Sequence, residues 1–201
     1  MSADFSALQK DMRTCRRCLE AGYAVAPGAI FSGPISARVM IVGQAPGITE
    51  VEARRPFNAA AGQRLFQWLA EAGWSEEAFR ASQYVTSVTK CYPGKQPGAH
   101  ARGDRAPGAA EQKLCAPFLE RELALVDPEL VIPVGGLAIE RLVGTGRLTE
   151  IIGLVFQRQG RWFVPLPHPS GASLWLNRPE HRALLRRALG HLSALKKQLN
   201  L

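Results

Sequence analysis

Apolar residues recur at helical spacing in residues 5–22, where Phe5, Leu8, Met12 and Leu19 share one side, and this predicts an opening helix. Residues 23–36, rich in Gly, Pro and Ala, read as loop. Arg38-Val39-Met40-Ile41-Val42 is a short apolar run that closes on Gly43, the pattern of a strand buried on both faces. Residues 61–72 place Leu65, Trp68 and Leu69 on one helical face, with Gly73 as a stop. Ser75 caps a short helix at 76–81. The β-branched run 84–89 predicts a second strand. Further along, helices are expected at 111–125, 136–143 and 178–198, and strands at 130–135 and 161–166. Between Cys91 and the helix at 111, residues 92–110 form a long polar loop.

Strands that alternate with helices imply parallel pairing with helices on both faces. The expected fold is α/β, a three-layer αβα sandwich around a mostly parallel four-stranded sheet, with residues 1–201 as one domain. In such sheets ligands bind beyond the carboxyl ends of the strands. Gly43–Gly47, Ser87–Cys91, Gly135 and His168–Ser170 all end or follow strands, so they are expected to meet at one edge.

Composition adds charge and thiols to this picture. The chain has 201 residues, 46% of them hydrophobic and 21% charged, with a formal net charge of +8. That length fits one sizeable core, and the balance is that of a soluble globular protein. No apolar run approaches a membrane span, and Met1-Ser2-Ala3-Asp4-Phe5 lacks the basic-then-apolar order of a secretory signal. The chain therefore reads as cytoplasmic, with nothing arguing for an oligomer, so a monomer is expected. Its positive charge suits a phosphate-backbone partner or simply a solvated basic surface.

The four cysteines are Cys15, Cys18, Cys91 and Cys115. In a cytosolic chain they point to metal or redox chemistry rather than disulfides. Cys15-x2-Cys18 has ligand spacing, and all four complete one thiolate set. Spacing alone leaves zinc and iron–sulfur both open. His168, fixed between Pro167 and Pro169 just past a strand, has the geometry of a positioned donor.

Taken together and in order, these segments resemble the iron–sulfur, family-four-like branch of the uracil-DNA glycosylase superfamily. They are Cys15-x2-Cys18; Val42-Gly43-Gln44-Ala45-Pro46-Gly47; Arg55-Pro56-Phe57-x3-Ala61-Gly62; Thr86-Ser87-Val88-Thr89-Lys90-Cys91; Cys115-x-Pro117-Phe118-Leu119; and His168-Pro169-Ser170. The resemblance implies a [4Fe–4S] cluster on Cys15, Cys18, Cys91 and Cys115, structural in role. It implies that His168 is the donor to the O2 of a leaving pyrimidine. Gln44 and Ala45 would line the base pocket, and Phe57 would stack on the flipped base. The loop Ser170-Gly171-Ala172-Ser173-Leu174 would face DNA, with Leu174 as a wedge into the vacated stack. Lys90 and Arg178 are expected phosphate contacts.

Three positions depart from the family pattern. Gln44 stands where the family usually has an acid, which leaves Glu50 as the nearest candidate carboxylate. Ser87 replaces a common Asn that reads the pyrimidine edge, with Asn58 as a possible substitute. The spacer from Cys91 to Cys115 is long and carries Lys95, His100, Arg102 and Arg105. A related branch has a His in this region that bonds covalently to the abasic sugar. The sequence around His100 does not match that branch's basic run, so a DNA-contacting loop is the expected role.

The resulting expectation is a monofunctional base-excision enzyme acting on DNA that contains uracil, leaving an abasic site. An abasic-site binding or trapping protein, a redox-sensing scaffold and a zinc enzyme of another class are the rivals.

Overall fold

The computed structural model describes residues 2–98, 103–171 and 173–201. Five strands form one sheet: β1 (Val39–Gly43), β2 (Tyr84–Ser87), β3 (Leu130–Pro133), β4 (Phe156–Arg158) and β5 (Arg161–Phe163). Their order is β2-β1-β3-β5-β4. The first four are parallel neighbours, and β4 runs antiparallel to β5. The expected four-stranded sheet is therefore corrected to five strands. β4 escaped the sequence reading because its three residues are partly or fully exposed and carry no apolar run. Its partnership is made by a two-residue turn in which Gln159 and Gly160 both have positive φ, the backbone that closes tight hairpins.

Side chains alternate across β1 and divide the core. Met40 and Val42 join one cluster with Phe5, Leu8 and Met12 of α1 (Ala3–Thr14) and Phe118 and Leu119 of α6 (Ala109–Val126). Val39 and Ile41 face the opposite cluster, built with Leu65 and Leu69 of α4 (Ala60–Glu71) and Leu185 and Leu189 of α9 (Pro179–Leu199). The three-layer αβα arrangement holds.

The opening helix is shorter than expected. Ser2 caps α1 by accepting the Phe5 amide at 3.2 Å, and Cys15 then turns extended, with φ −61° and ψ 133°. A second short helix, α2 (Arg17–Glu20), follows. The break lets Cys15 and Cys18 line one cavity. Four further short elements complete the chain: α3 (Ile48–Ala53), α5 (Glu76–Ser82), α7 (Gly136–Leu142) and α8 (Leu148–Ile151). A 3-10 turn at Leu174–Asn177 leads into α9. Among the described residues no helix is long and apolar enough to cross a membrane.

Candidate active site

The carboxyl ends of β1 and β2 and the segment after β5 meet around a cavity of about 390 Å³. Gln44, Ala45, Phe57, Ser87, His168 and Ser170 line it, as the strand-end argument predicts. The loops are tied together through their backbones. Val88 N donates to Gly43 O at 2.9 Å and Thr89 N to Gln44 O at 3.2 Å.

His168 is held from several sides. Gly135 N donates to Leu166 O at 2.9 Å, and Arg64 donates to Pro169 O at 3.2 Å. Gly135, at φ +88°, leaves room for the ring: a Cβ there would stand 3.1 Å from His168 Cδ2. The Ser170 amide donates to His168 Nδ1 at 3.2 Å. In a neutral imidazole this puts the proton on Nε2. Burial pushes the His168 pKa below its ordinary value, so the neutral form is favoured.

Phe57 adopts a left-handed backbone, φ 52°, which is costly for a bulky residue. Three side-chain bonds stabilise it. Glu50 accepts the Phe57 amide, while Arg80 donates to Phe57 O at 2.7 Å and Pro56 O at 2.9 Å. Glu50 also accepts the Gly47 amide at 2.5 Å. Burial raises the Glu50 pKa, and these two amides act against the rise. Glu50, the expected catalytic carboxylate, lines the cavity and has each oxygen engaged by a backbone N–H, so it clamps this loop. Sequence reading missed Arg80, whose role is visible only once α5 packs beside the Phe57 turn.

Other expectations change. Asn58 does not line the cavity: its amide donates to Thr49 O at 3.0 Å and its oxygen accepts from the Thr49 hydroxyl at 3.2 Å. The left-handed turn at Phe57 aims the next side chain at α3. The Ser87 hydroxyl donates to Thr89 O at 2.9 Å, so its proton is committed within its own loop. Lys90, expected to contact phosphate, is 1% exposed. Its ammonium pairs with Glu122 at 2.5 Å and donates to Thr86 Oγ1 at 2.9 Å and to Ser87 O. Tyr84 and Thr86 hydroxyls complete the Glu122 shell at 3.0 and 2.9 Å. A Lys in a strand-end motif looks like a surface cation in sequence, and only the distant Glu122 explains its burial.

Leu174 is 73% exposed at the head of the 3-10 turn. Behind it, Trp175 stacks on His181, whose Nδ1 lies 2.6 Å from Trp175 O. Gly171 and Arg178 are exposed and Ser170 half-buried. His100 and Ala172 lie outside the described residues. The base of the long loop lies within them: Lys95 and Asp104 form an antiparallel bridge. Asp104 and Arg105 also line the cavity. Asp104 was passed over in the sequence, although it is the one acid between Cys91 and Glu111.

All four cysteines line a second, small and mainly apolar cavity between α1, α2 and α6, and all are free thiols. The Lys90 amide donates to Cys115 Sγ at 3.4 Å. Burial raises the pKa of Cys18, Cys115 and Cys91, the last to about 11, and neighbouring thiolates add to the rise. Among the described residues no group of three His, Cys, Asp or Glu is arranged to hold a single metal ion.

A pocket at the strand ends of an αβα sandwich, with a held imidazole in its lining, has the position and make-up of a ligand-binding or catalytic site. The sequence model of the Uracil DNA glycosylase superfamily matches residues 30–190. A type-4 uracil-DNA glycosylase of Pyrobaculum aerophilum is 32% identical over 153 residues, 75% of this chain and 70% of its own. The type-4 enzyme of Thermotoga maritima is 28% identical over 144 residues, covering 70% of this chain and 69% of its own. Among solved structures, wild-type Pedobacter heparinus SMUG2 covers 83% of this chain and 77% of its own, with TM-score 0.46 and 15% identity. The chain belongs to the uracil-DNA glycosylase superfamily, in its type-4 branch.

Proposed function

We propose that this chain excises uracil from DNA by hydrolysing the N-glycosidic bond, leaving an abasic site and an unbroken strand. The carrying observation is His168, half-buried at a cavity of about 390 Å³, with Nδ1 accepting the Ser170 amide so that a neutral ring turns an Nε2–H outward, and with burial favouring that neutral form. As the bond breaks, negative charge grows on the leaving base. A fixed neutral donor stabilises that charge without reorganising, and such donors contribute about 10²–10³ in rate. Phe57, locked in its turn, offers an aromatic face to a flipped base. Leu174, 73% exposed, would fill the gap the base leaves, and the exposed Arg178 and a formal net charge of +8 suit a phosphate backbone.

Cys15, Cys18, Cys91 and Cys115 would hold a [4Fe–4S] cluster. Four thiols from three segments around one apolar cavity, with an amide N–H on a sulfur, suit that ligand set. The cluster would supply a covalent tie between α1, α2, the β2 loop and α6, rather than chemistry at the base. Iron and sulfide analysis of anaerobically prepared protein tests this, with Cys115→Ser as the variant that loses the cluster.

Single-turnover excision on an oligonucleotide with one uracil tests the activity. Release by the wild type and not by His168→Ala supports it. A stable complex on abasic DNA with no release favours the second reading, an abasic-site binding protein. The committed Ser87 hydroxyl motivates that reading, because one expected base-reading group is turned inward.

A further inference from the structure

Hydrolysis needs a group to position water and take its proton. Among the described residues lining the cavity the carboxylates are Glu50 and Asp104. Glu50 is engaged through both oxygens by the Gly47 and Phe57 amides. Gln44 offers an amide, which cannot accept a proton at neutral pH.

We propose that Asp104, at the base of the long loop, is the catalytic carboxylate that positions and deprotonates the attacking water. This inference rests on the excision reading above.

The carboxylate is oriented. Tyr92 OH donates to Asp104 Oδ1 at 2.8 Å, which turns Oδ2 toward the strand-end loop. There it lies over Gly47: a Cβ built on Gly47 would stand 3.2 Å from Oδ2. Glu50 Oε2 stands 3.8 Å from the same Cβ, so the two carboxylates meet at Gly47 in the cavity wall. Among the described residues Oδ2 accepts no hydrogen bond.

The stem beneath it is fixed. Asp104 bridges Lys95, Gln96 N donates to Gly103 O at 3.2 Å, and Arg105 N donates to Gly94 O at 3.0 Å. Arg105 then forks onto Glu111 at 2.6 and 2.7 Å, and Glu111 caps α6 through the Gly108 amide at 2.8 Å. Asp104 is therefore set at a defined height by α6, even though it lies in the long loop between β2 and α6.

The C1′–N1 bond breaks and its electron pair leaves with the base, whose O2 accepts from His168 Nε2–H. The water oxygen bonds to C1′, and its proton passes to Asp104 Oδ2. The base leaves as an anion and is protonated by solvent, so one water is consumed.

Single-turnover excision by Asp104→Asn tests this, with binding to DNA carrying 2′-fluoro-deoxyuridine, which resists cleavage, measured beside it. Excision falls about 10²-fold, the usual share of a general base. Analogue binding stays within about twofold, and formate partly restores Asp104→Ala, as a mobile carboxylate replaces the missing one. Excision by Asp104→Asn within about threefold of wild type overturns the assignment. So does a loss of rate that tracks a loss of binding without formate rescue, which is a structural role. Wild-type protein that releases no base overturns the excision reading and this inference together.

Discussion

The carbonyl of Phe57 occupies the space where Gly62 would carry a side chain: a Cβ on Gly62 would stand 1.9 Å from Phe57 O. The ring end of Phe57 abuts β1 as well, with a Cβ on Gly43 falling 2.9 Å from Phe57 Cζ. Two glycines from separate elements thus permit one strained aromatic residue to stand in the cavity wall.

Gly62→Ala forces the first turn of α4 away from Phe57. The backbone carbonyl cannot yield as a flexible side chain does, so a loss of about 1–3 kcal/mol is expected. Chemical denaturation reads the loss, and excision falls with it because Phe57 moves. A variant as stable as wild type would show that the turn relaxes freely.

Lys90 and Glu122 form a buried pair between the cavity floor and the cysteine site. Lys90→Met leaves Glu122 charged and unpaired, and Glu122→Leu leaves Lys90 so; each is expected to cost about 3–5 kcal/mol. Lys90→Met with Glu122→Leu removes both charges and is expected to recover part of that loss. A double-mutant cycle by denaturation measures the coupling. Strictly additive losses would mean that the two groups do not interact.

His168 sets a pH dependence with a defined sign. Its folded-state pKa lies below the ordinary 6.5. Above that value both states are neutral there and the residue adds no pH slope. As pH falls below it, the unfolded chain takes up the proton first, so stability drops until the folded-state pKa is passed. Excision is expected to persist to lower pH than a free imidazole would allow. NMR titration of the His168 ring checks this, and a pKa at or above the ordinary value would contradict it.

Leu174→Ala removes an exposed side chain that packs on little, so stability is expected to shift by less than about 0.5 kcal/mol. Excision from duplex DNA is expected to fall more than excision from single strands, because a wedge matters only where a stack must stay open. Equal losses on both substrates would assign Leu174 to another contact.

Four of the five strands, the long helices and the strand-end location of the cavity were legible in the chain, because period and β-branched runs report burial directly. Gln44, Phe57 and His168 were legible as residues of the strand-end loops that line the cavity, because Gly and Pro beside them mark backbone that must bend or hold still. What each polar group touches was not. Glu50 became a clamp, Asn58 a tie to Thr49, and Lys90 a buried ion, because hydrogen-bond partners are chosen by tertiary packing. Asp104 entered the cavity wall by the same route. Its place depends on the Lys95 bridge and on Arg105 gripping Glu111, contacts of a loop whose composition carries no period. The sequence by itself determined the layers of the fold, the four cysteines that share one cavity and the edge of the sheet where the larger cavity lies. The tertiary structure alone decided which backbone amides and hydroxyls each carboxylate at that edge engages, because folding brings those partners to it from elsewhere in the chain.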